Sequence, residues 1–193
     1  MIDETFKKSM EYLHFLEGGI SDNPYDLGGY TKYGISLRFL KLIGEEDGDF
    51  NNDGHVTKED LNVMSYSDAV ELYHKYFWNH YKIDIMPFNT VIIKSYLLTM
   101  YVNLRGRVAN RTLQRAIKAC GINIIDDGVI GPRSLKAMDK IISHNYLLPA
   151  LKAELSSVYR NIVRNNSSQQ EFINGWLNRA YMDYKIYFDN HRT

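Results

Sequence analysis

Glu17 ends a helical stripe: Phe6, Met10, Leu13 and Glu17 fall at i, i+4, i+7 and i+11, and Gly18 and Gly19 follow directly. That spacing predicts one helix whose apolar face carries a carboxyl group at its C-terminal end. Partial burial disfavours the ionised form of a carboxyl, and the negative end of the helix dipole acts in the same sense. A carboxyl held protonated near neutral pH is suited to general acid catalysis. Gly18 and Gly19 leave bare backbone beside it, so a bulky substrate could come close. Asp26 lies nine positions after Glu17 and Thr31 fourteen, with Gly28 and Gly29 between them. A loop returning past the helix end would set Asp26 and Thr31 across a cleft from Glu17. Two carboxyls flanking a glycosidic bond, one donating a proton and one steering water, form the common glycosidase arrangement. Taken alone, Glu17 also reads as a surface glutamate before an ordinary glycine C-cap.

A second set of oxygen-bearing residues occupies "DFNNDGHVTKED", residues 49–60. Asp49, Asn51 and Asp53 stand at loop positions 1, 3 and 5, Gly54 at 6, His55 at 7, Thr57 at 9 and Asp60 at 12. The pattern resembles an EF-hand loop, most closely the dockerin-like form that ends in Asp. Calcium takes six to eight hard oxygen ligands, which alternating positions supply, and glycine allows the sharp turn. Val56, at position 8, is expected to pack inward. The preceding helix is short and ends in glycine, which predicts a single loop rather than a paired EF-hand. An acidic Gly/Asn turn without an ion is the competing reading. The expectation is one structural calcium ion, held by Asp49, Asn51, Asp53, the His55 carbonyl, Thr57 and Asp60, with no cofactor for catalysis.

The order E-G-G-x6-D-x-G-G-x-T-x-x-G-I, from Glu17 to Ile35, resembles the signature of glycoside hydrolase family 108. These are N-acetylmuramidases found as phage endolysins and as secretion activator proteins. "ELYHKYFWNHYKIDIMP" looks like that family's Tyr/Trp-rich helix, and "LQRAIKACGINIIDDGVIGPRSLKAM" resembles the peptidoglycan-binding-type module that follows it. "FINGWLNRA" is similar to the closing F-x-x-G-W-x-x-R helix. The resemblance implies a lysozyme-like helical fold and cleavage of the β-1,4 bond between N-acetylmuramic acid and N-acetylglucosamine. It makes Glu17 the general acid. By analogy with phage-type lysozymes, Asp26 and Thr31 would position the attacking water or stabilise the oxocarbenium-like transition state, with inversion at the anomeric carbon. Tyr30, Tyr33, Gly18 and Gly19 are candidates for lining the sugar groove, although packing explains the tyrosines equally well. A lytic transglycosylase and a non-catalytic, calcium-dependent wall-binding protein are the alternatives.

The elements that must position these residues are mainly helical, with one small β-hairpin or loop element between Ser21 and Ser36, where Pro, Gly, Asn and Asp collect. Ser36 is placed as an N-cap, and Ser65 with Asp68 has capping-box spacing. Helices are predicted over 90–104, 107–120, 133–145, 147–164 and 169–189. The boundary is set at 106/107, giving a catalytic lobe over 1–106 and a helical peptidoglycan-binding-type lobe over 107–193. Residues 1–60 carry six Lys/Arg against thirteen Asp/Glu, a balance of −7, and the remainder seventeen against ten, +7. Wall affinity is therefore expected from net positive charge in the second lobe rather than from a formed sugar pocket. Cys120 is the only cysteine, so no intrachain disulfide forms. The six histidines are dispersed, His74 and His80 lack metal-ligand spacing, and surface or groove positions are expected. The helix-turn-helix look of 111–138 is outweighed by the module resemblance, so nucleic acid is not expected as a partner. "TVIIKSYLLTMYV" is broken by Lys94 and too short to span a bilayer, and no targeting segment is visible. The expectation is a monomer made in the cytoplasm that reaches the periplasm or cell wall through a holin or another route, with peptidoglycan as its partner.

Overall fold

The computed structural model describes residues 3–17, 30–104, 106–141 and 144–183. Helix α1 spans Glu4–Glu17 and buries Phe6, Met10 and Leu13, the stripe read from the sequence. A two-stranded antiparallel hairpin follows, β1 (Thr31–Lys32) and β2 (Ile35–Ser36), with Thr31 opposite Ser36 and Lys32 opposite Ile35. Tyr33 and Gly34 turn it with φ of 53° and 77°, the double positive φ of a type I′ turn. Ser36 then caps α2 (Leu37–Ile43), its hydroxyl accepting from the Phe39 N–H. Short helices α3 (Glu45–Gly48) and α4 (Lys58–Val63) flank the 49–57 loop, and α5 (Tyr66–Tyr73) opens with the Ser65/Asp68 capping box. The helix after α5 widens into a π-helical turn over His74–Asn79.

The core is organised by α6 (Val91–Leu104). Residues from Ile93 to Tyr101, Lys94 apart, are all buried, so this helix is enclosed rather than amphipathic. Helix α1 lies against it, where Ser95 Oγ donates to Ser9 Oγ at 2.9 Å in a buried contact between small side chains. The second half consists of α7 (Gly106–Ala119), α8 (Pro132–Met138), α9 (His144–Asn165), a 3-10 turn over Ser167–Phe172 and α10 (Ile173–Tyr181). Helix α9 packs on α7 and α10. One hydrophobic cluster runs from Phe6 to Ala180 without a break at the 106/107 boundary. Across that boundary the buried Tyr96 hydroxyl of α6 donates to the Ala180 carbonyl at 3.0 Å.

Two helical expectations are corrected. The helix expected over 133–145 ends at Met138, where Lys140 and Ile141 bond back three residues to Ala137 and Met138 and tighten the chain into a turn. The stretch expected as one helix from 169 begins as the 3-10 turn, because Asn166 caps the Ser168 N–H before α10 starts at Ile173. Cys120 is half-buried and packs against the core. His74, expected at the surface or groove, is half-buried with its ring edge-on to Phe6 at 4.8 Å.

Candidate active site

Helix α1 delivers the backbone of Glu17 as its last residue. The Glu17 side chain, Gly18, Gly19 and Asp26 lie outside the described residues. What is described is the hairpin that carries Thr31. Thr31 sits half-buried in β1, and Tyr33 holds the turn that follows. A non-glycine residue at positive φ needs its surroundings to hold it there. For Tyr33 the holders are the Tyr73 hydroxyl, which donates to its carbonyl at 3.2 Å, and the Tyr66 ring, edge-on at 5.5 Å.

Tyr66 also reaches α1. Its ring stands edge-on to His14, in the last turn of α1, with centroids 5.3 Å apart. The tyrosine therefore joins the end of the Glu17 helix to the hairpin that carries Thr31. Burial, and secondarily the Glu11 carboxylate, pushes the Tyr66 phenol above its ordinary value, so it stays a neutral hydroxyl. Sequence reading missed both His14 and Tyr66. The signal was a large aromatic at the first position of a capping-box helix, a polar place where no core demands one.

The hairpin is tied down from below by α4. The Lys32 ammonium donates to the carbonyls of Asn62 and Met64 at 2.7 and 2.8 Å, and the Tyr30 hydroxyl donates to Asn62 Oδ1 at 3.0 Å. Lys58 Nζ sits 4.0 Å from the Tyr30 ring centroid, in cation–π range. Tyr30 is thus a buttress of the hairpin, whereas Tyr33 is in its turn.

Helix α4 is in turn locked to the 49–60 loop by Asp60, which is fully buried. Expected as the twelfth-position ligand, Asp60 gives both oxygens to loop backbone. Oδ1 accepts from the N–H groups of Phe50 (2.8 Å) and Asn51 (3.1 Å), and Oδ2 accepts from that of Thr57 (2.7 Å). Burial alone would raise its pKa, but the three N–H donors outweigh it and hold the carboxyl below the usual range. Asp49 accepts from the N–H groups of Asp53 and Gly54, Asn51 Oδ1 from Asp53, and Asp53 Oδ1 from His55. Gly54 adopts φ 82°, the left-handed turn expected of position 6, and Val56 packs inward against the core. Among the described residues no group of three or more His, Cys, Asp or Glu side chains could hold a metal ion. Besides Asp60, the loop carries two carboxylates, an amide oxygen, a carbonyl and the Thr57 hydroxyl, which itself donates to Asp60 Oδ2 at 3.4 Å. This is a hard all-oxygen set that suits calcium rather than a transition metal.

Residues 10–104 match the glycosyl hydrolase 108 family model, and residues 108–181 match that of the predicted peptidoglycan domain. The chain belongs to glycosyl hydrolase family 108. The family's hydrolase segment runs from α1 through α6, enclosing the helix end, the hairpin and the loop. Among solved structures, SagA of Brucella abortus is similar at 25% identity and a TM-score of 0.69, over 91% of this chain and 89% of that one. No curated protein matches the sequence. Family 108 membership and the appended peptidoglycan domain make this chain a glycoside hydrolase that acts on peptidoglycan. The fold is mainly α, as expected. No helix of the described residues is long and apolar enough to cross a membrane.

Proposed function

We propose that the chain is an N-acetylmuramidase that hydrolyses the β-1,4 bond between N-acetylmuramic acid and N-acetylglucosamine, with Glu17 as general acid. The observation that supports this reading is the Tyr66 seam, which sets the hairpin of Thr31 beside the last turn of the helix ending in Glu17. In the proposed reaction Glu17 protonates the departing glycosidic oxygen as the C1–O bond breaks. A water held by Asp26 and Thr31 forms the new bond to C1, and its proton passes to the Asp26 carboxylate, giving inversion. Tyr33, Gly18 and Gly19 would line the sugar groove. The protein is proposed to act as a monomer in the periplasm or wall after synthesis in the cytoplasm, released by a holin or another route, in cell-wall lysis or remodelling.

The test is turbidity clearing of purified sacculi by wild type and Glu17→Gln. The expected result is a variant that folds normally but is about 10²–10⁴-fold slower, the loss that follows removal of a general acid. Unchanged turnover would remove Glu17 from the mechanism. Mass spectrometry of the digest decides the bond chemistry, since anhydro-muropeptides as the main product would replace hydrolysis by transglycosylation.

We further propose one structural calcium ion in the 49–60 loop, bound by Asp49, Asn51, Asp53, the His55 carbonyl and Thr57, with Asp60 kept as the internal clamp. When bound, the ion would neutralise the acidic run that precedes α4. An affinity of about 10⁻⁴–10⁻³ M would suit a protein working outside the cytoplasm. EGTA should lower the melting temperature and calcium restore it, magnesium much less so. Superimposable melting curves in EGTA and millimolar calcium would mean that the Asp60 clamp alone organises the loop.

A further inference from the structure

The α7–α8 connection forms an open cavity of about 570 Å³, within the size range of small-molecule sites. Its walls combine Ile124, Ile125, Val129 and Pro132 with the charged side chains of Asp127 and Arg133. Ile125 and Val129 are 70% and 53% exposed, an apolar rim that no other described element covers. Arg133 is exposed and makes no ion pair among the described residues.

The cavity is held open from beneath. Gln114 of α7 is fully buried and spends its amide on the loop. Its Nε2 donates to Asp127 Oδ1 (3.0 Å) and the Val129 carbonyl (3.1 Å), and its Oε1 accepts from the Gly128 N–H (2.7 Å). Ser134 Oγ adds a bond to the Val129 carbonyl, and Asn110 Nδ2 one to the Gly128 carbonyl. Gly128 has φ 78° and lies so close to α7 that an added Cβ would stand 3.1 Å from the Arg107 carbonyl. A loop fixed at this many points presents its side chains in one arrangement, which lowers the ordering cost of binding.

We propose that this cavity is a docking site for the peptide stem of peptidoglycan, with Arg133 taking a stem carboxylate, Asp127 an ammonium group, and Ile125, Val129 and Pro132 the alanine methyls. The proposal rests on the assignment of peptidoglycan as substrate. The chemistry of the walls selects the stem over the sugar strand. None of the described lining residues is aromatic, so they offer no face for stacking a pyranose ring. Where stems are attached, the glycan offers neither charge, because its amines are acetylated and each lactyl carboxyl is tied up as the amide to a stem. The stem carries both an ammonium and carboxylates, along with small methyl side chains. Asp127 makes its bonds to Gln114 and Val129 through Oδ1, so Oδ2 keeps acceptor capacity. A stem held here, away from the Glu17 groove, would anchor the enzyme on the polymer whose glycan it cuts.

The experiment is a titration of the full chain with synthetic stem tetrapeptides carrying lysine or diaminopimelate at the third position, followed by amide chemical shifts. Binding is expected to move the amides of residues 123–134. Arg133→Gln and Ile125→Ser should each weaken it about tenfold, the scale expected when a single charge-assisted hydrogen bond or a single buried apolar side chain is removed. Lys136→Gln, in the same helix but outside the lining, should leave it unchanged. Three results would overturn the proposal: no stem binding, equal binding of a chitin oligosaccharide, which has the N-acetylated sugars but no carboxylate, or equal weakening by Lys136→Gln, which would reduce the effect to net charge. Sacculus clearing by wild type is read separately. A chain that clears sacculi but ignores stems loses only this docking site, while one that clears nothing loses the muramidase proposal.

Discussion

Among single residues, Asp60 carries more of the architecture near the groove than its sequence position suggests. Its carboxylate closes the 49–60 loop onto the start of α4, and α4 holds the Lys32 ammonium and Tyr30 hydroxyl that fix the hairpin. Asp60→Asn would replace one acceptor oxygen by a donor facing backbone N–H groups in a dry site. The expected loss is about 2–3 kcal/mol, the range for a disrupted buried hydrogen-bond set with a charged member. The folded-state pKa of Asp60 lies below its ordinary value. Its contribution is therefore complete above the unfolded pKa, about 3.9, and disappears as pH falls through the lower, folded value. Thermal melts from pH 6 down to pH 2.5 should show wild type losing its advantage over Asp60→Asn only below about pH 4. A constant gap across that range would mean the ionised form is not what stabilises the loop. The twelfth-position acid was legible in the sequence as a feature of a loop. Its role as a backbone clamp was not, because a calcium ligand and a clamp call for the same residue type at the same spacing.

Elements with a local cause were read correctly. The apolar stripe of α1, the Ser36 cap and the Ser65/Asp68 capping box each depend on residues three or four positions apart. Features set by distant partners were not legible. The π-helical turn after α5 keeps the aromatic run of His74–Asn79 in contact with Phe6 and Phe39, on helices far away in sequence. Tyr66 meets Tyr33 and His14 only after folding. The stem-sized cavity was hidden for the same reason: Gln114 reads as one polar position on α7, and its value lies in three bonds to a loop 13 to 15 residues later. Gln114→Leu leaves the Gly128 N–H, the Val129 carbonyl and Asp127 Oδ1 each short of a partner. The expected cost is about 3 kcal/mol in denaturant unfolding, with a disproportionate loss of hydrogen-exchange protection at Gly128. Unaltered Gly128 protection in that variant would show that the loop is held by its own turn chemistry instead.

Across the whole molecule, the two family segments do not correspond to two separable cores. Only Arg105 stands between α6 and α7. The hydrophobic cluster passes from Leu97 and Met100 on α6 to Ala109 and Leu113 on α7, and on to Leu151, Leu155 and Ala180. Tyr101 hydrogen-bonds Asn110 at 2.9 Å, and Asn110 reaches the Gly128 carbonyl, so a polar thread runs from the hydrolase segment to the loop of the proposed docking site. Burial raises the phenols of Tyr96 and Tyr101 far above their ordinary range, so both remain neutral hydrogen-bond donors at any pH where the protein is folded. Neither half can bury its face of α6 alone, and cutting at 106/107 would expose that face to water. Unfolding is therefore expected as one cooperative transition, with calorimetric and van't Hoff enthalpies in agreement. Tyr96→Phe should lower that single transition by about 1–2 kcal/mol through the unpaired Ala180 carbonyl, without splitting it. Two resolved transitions in wild type, or a second transition released by Tyr96→Phe, would show that the segments fold as separate units. Cooperative coupling of this kind would fix the distance between the Glu17 groove and the α7–α8 cavity, so that a wall contact at one constrains which glycan bonds the other can reach.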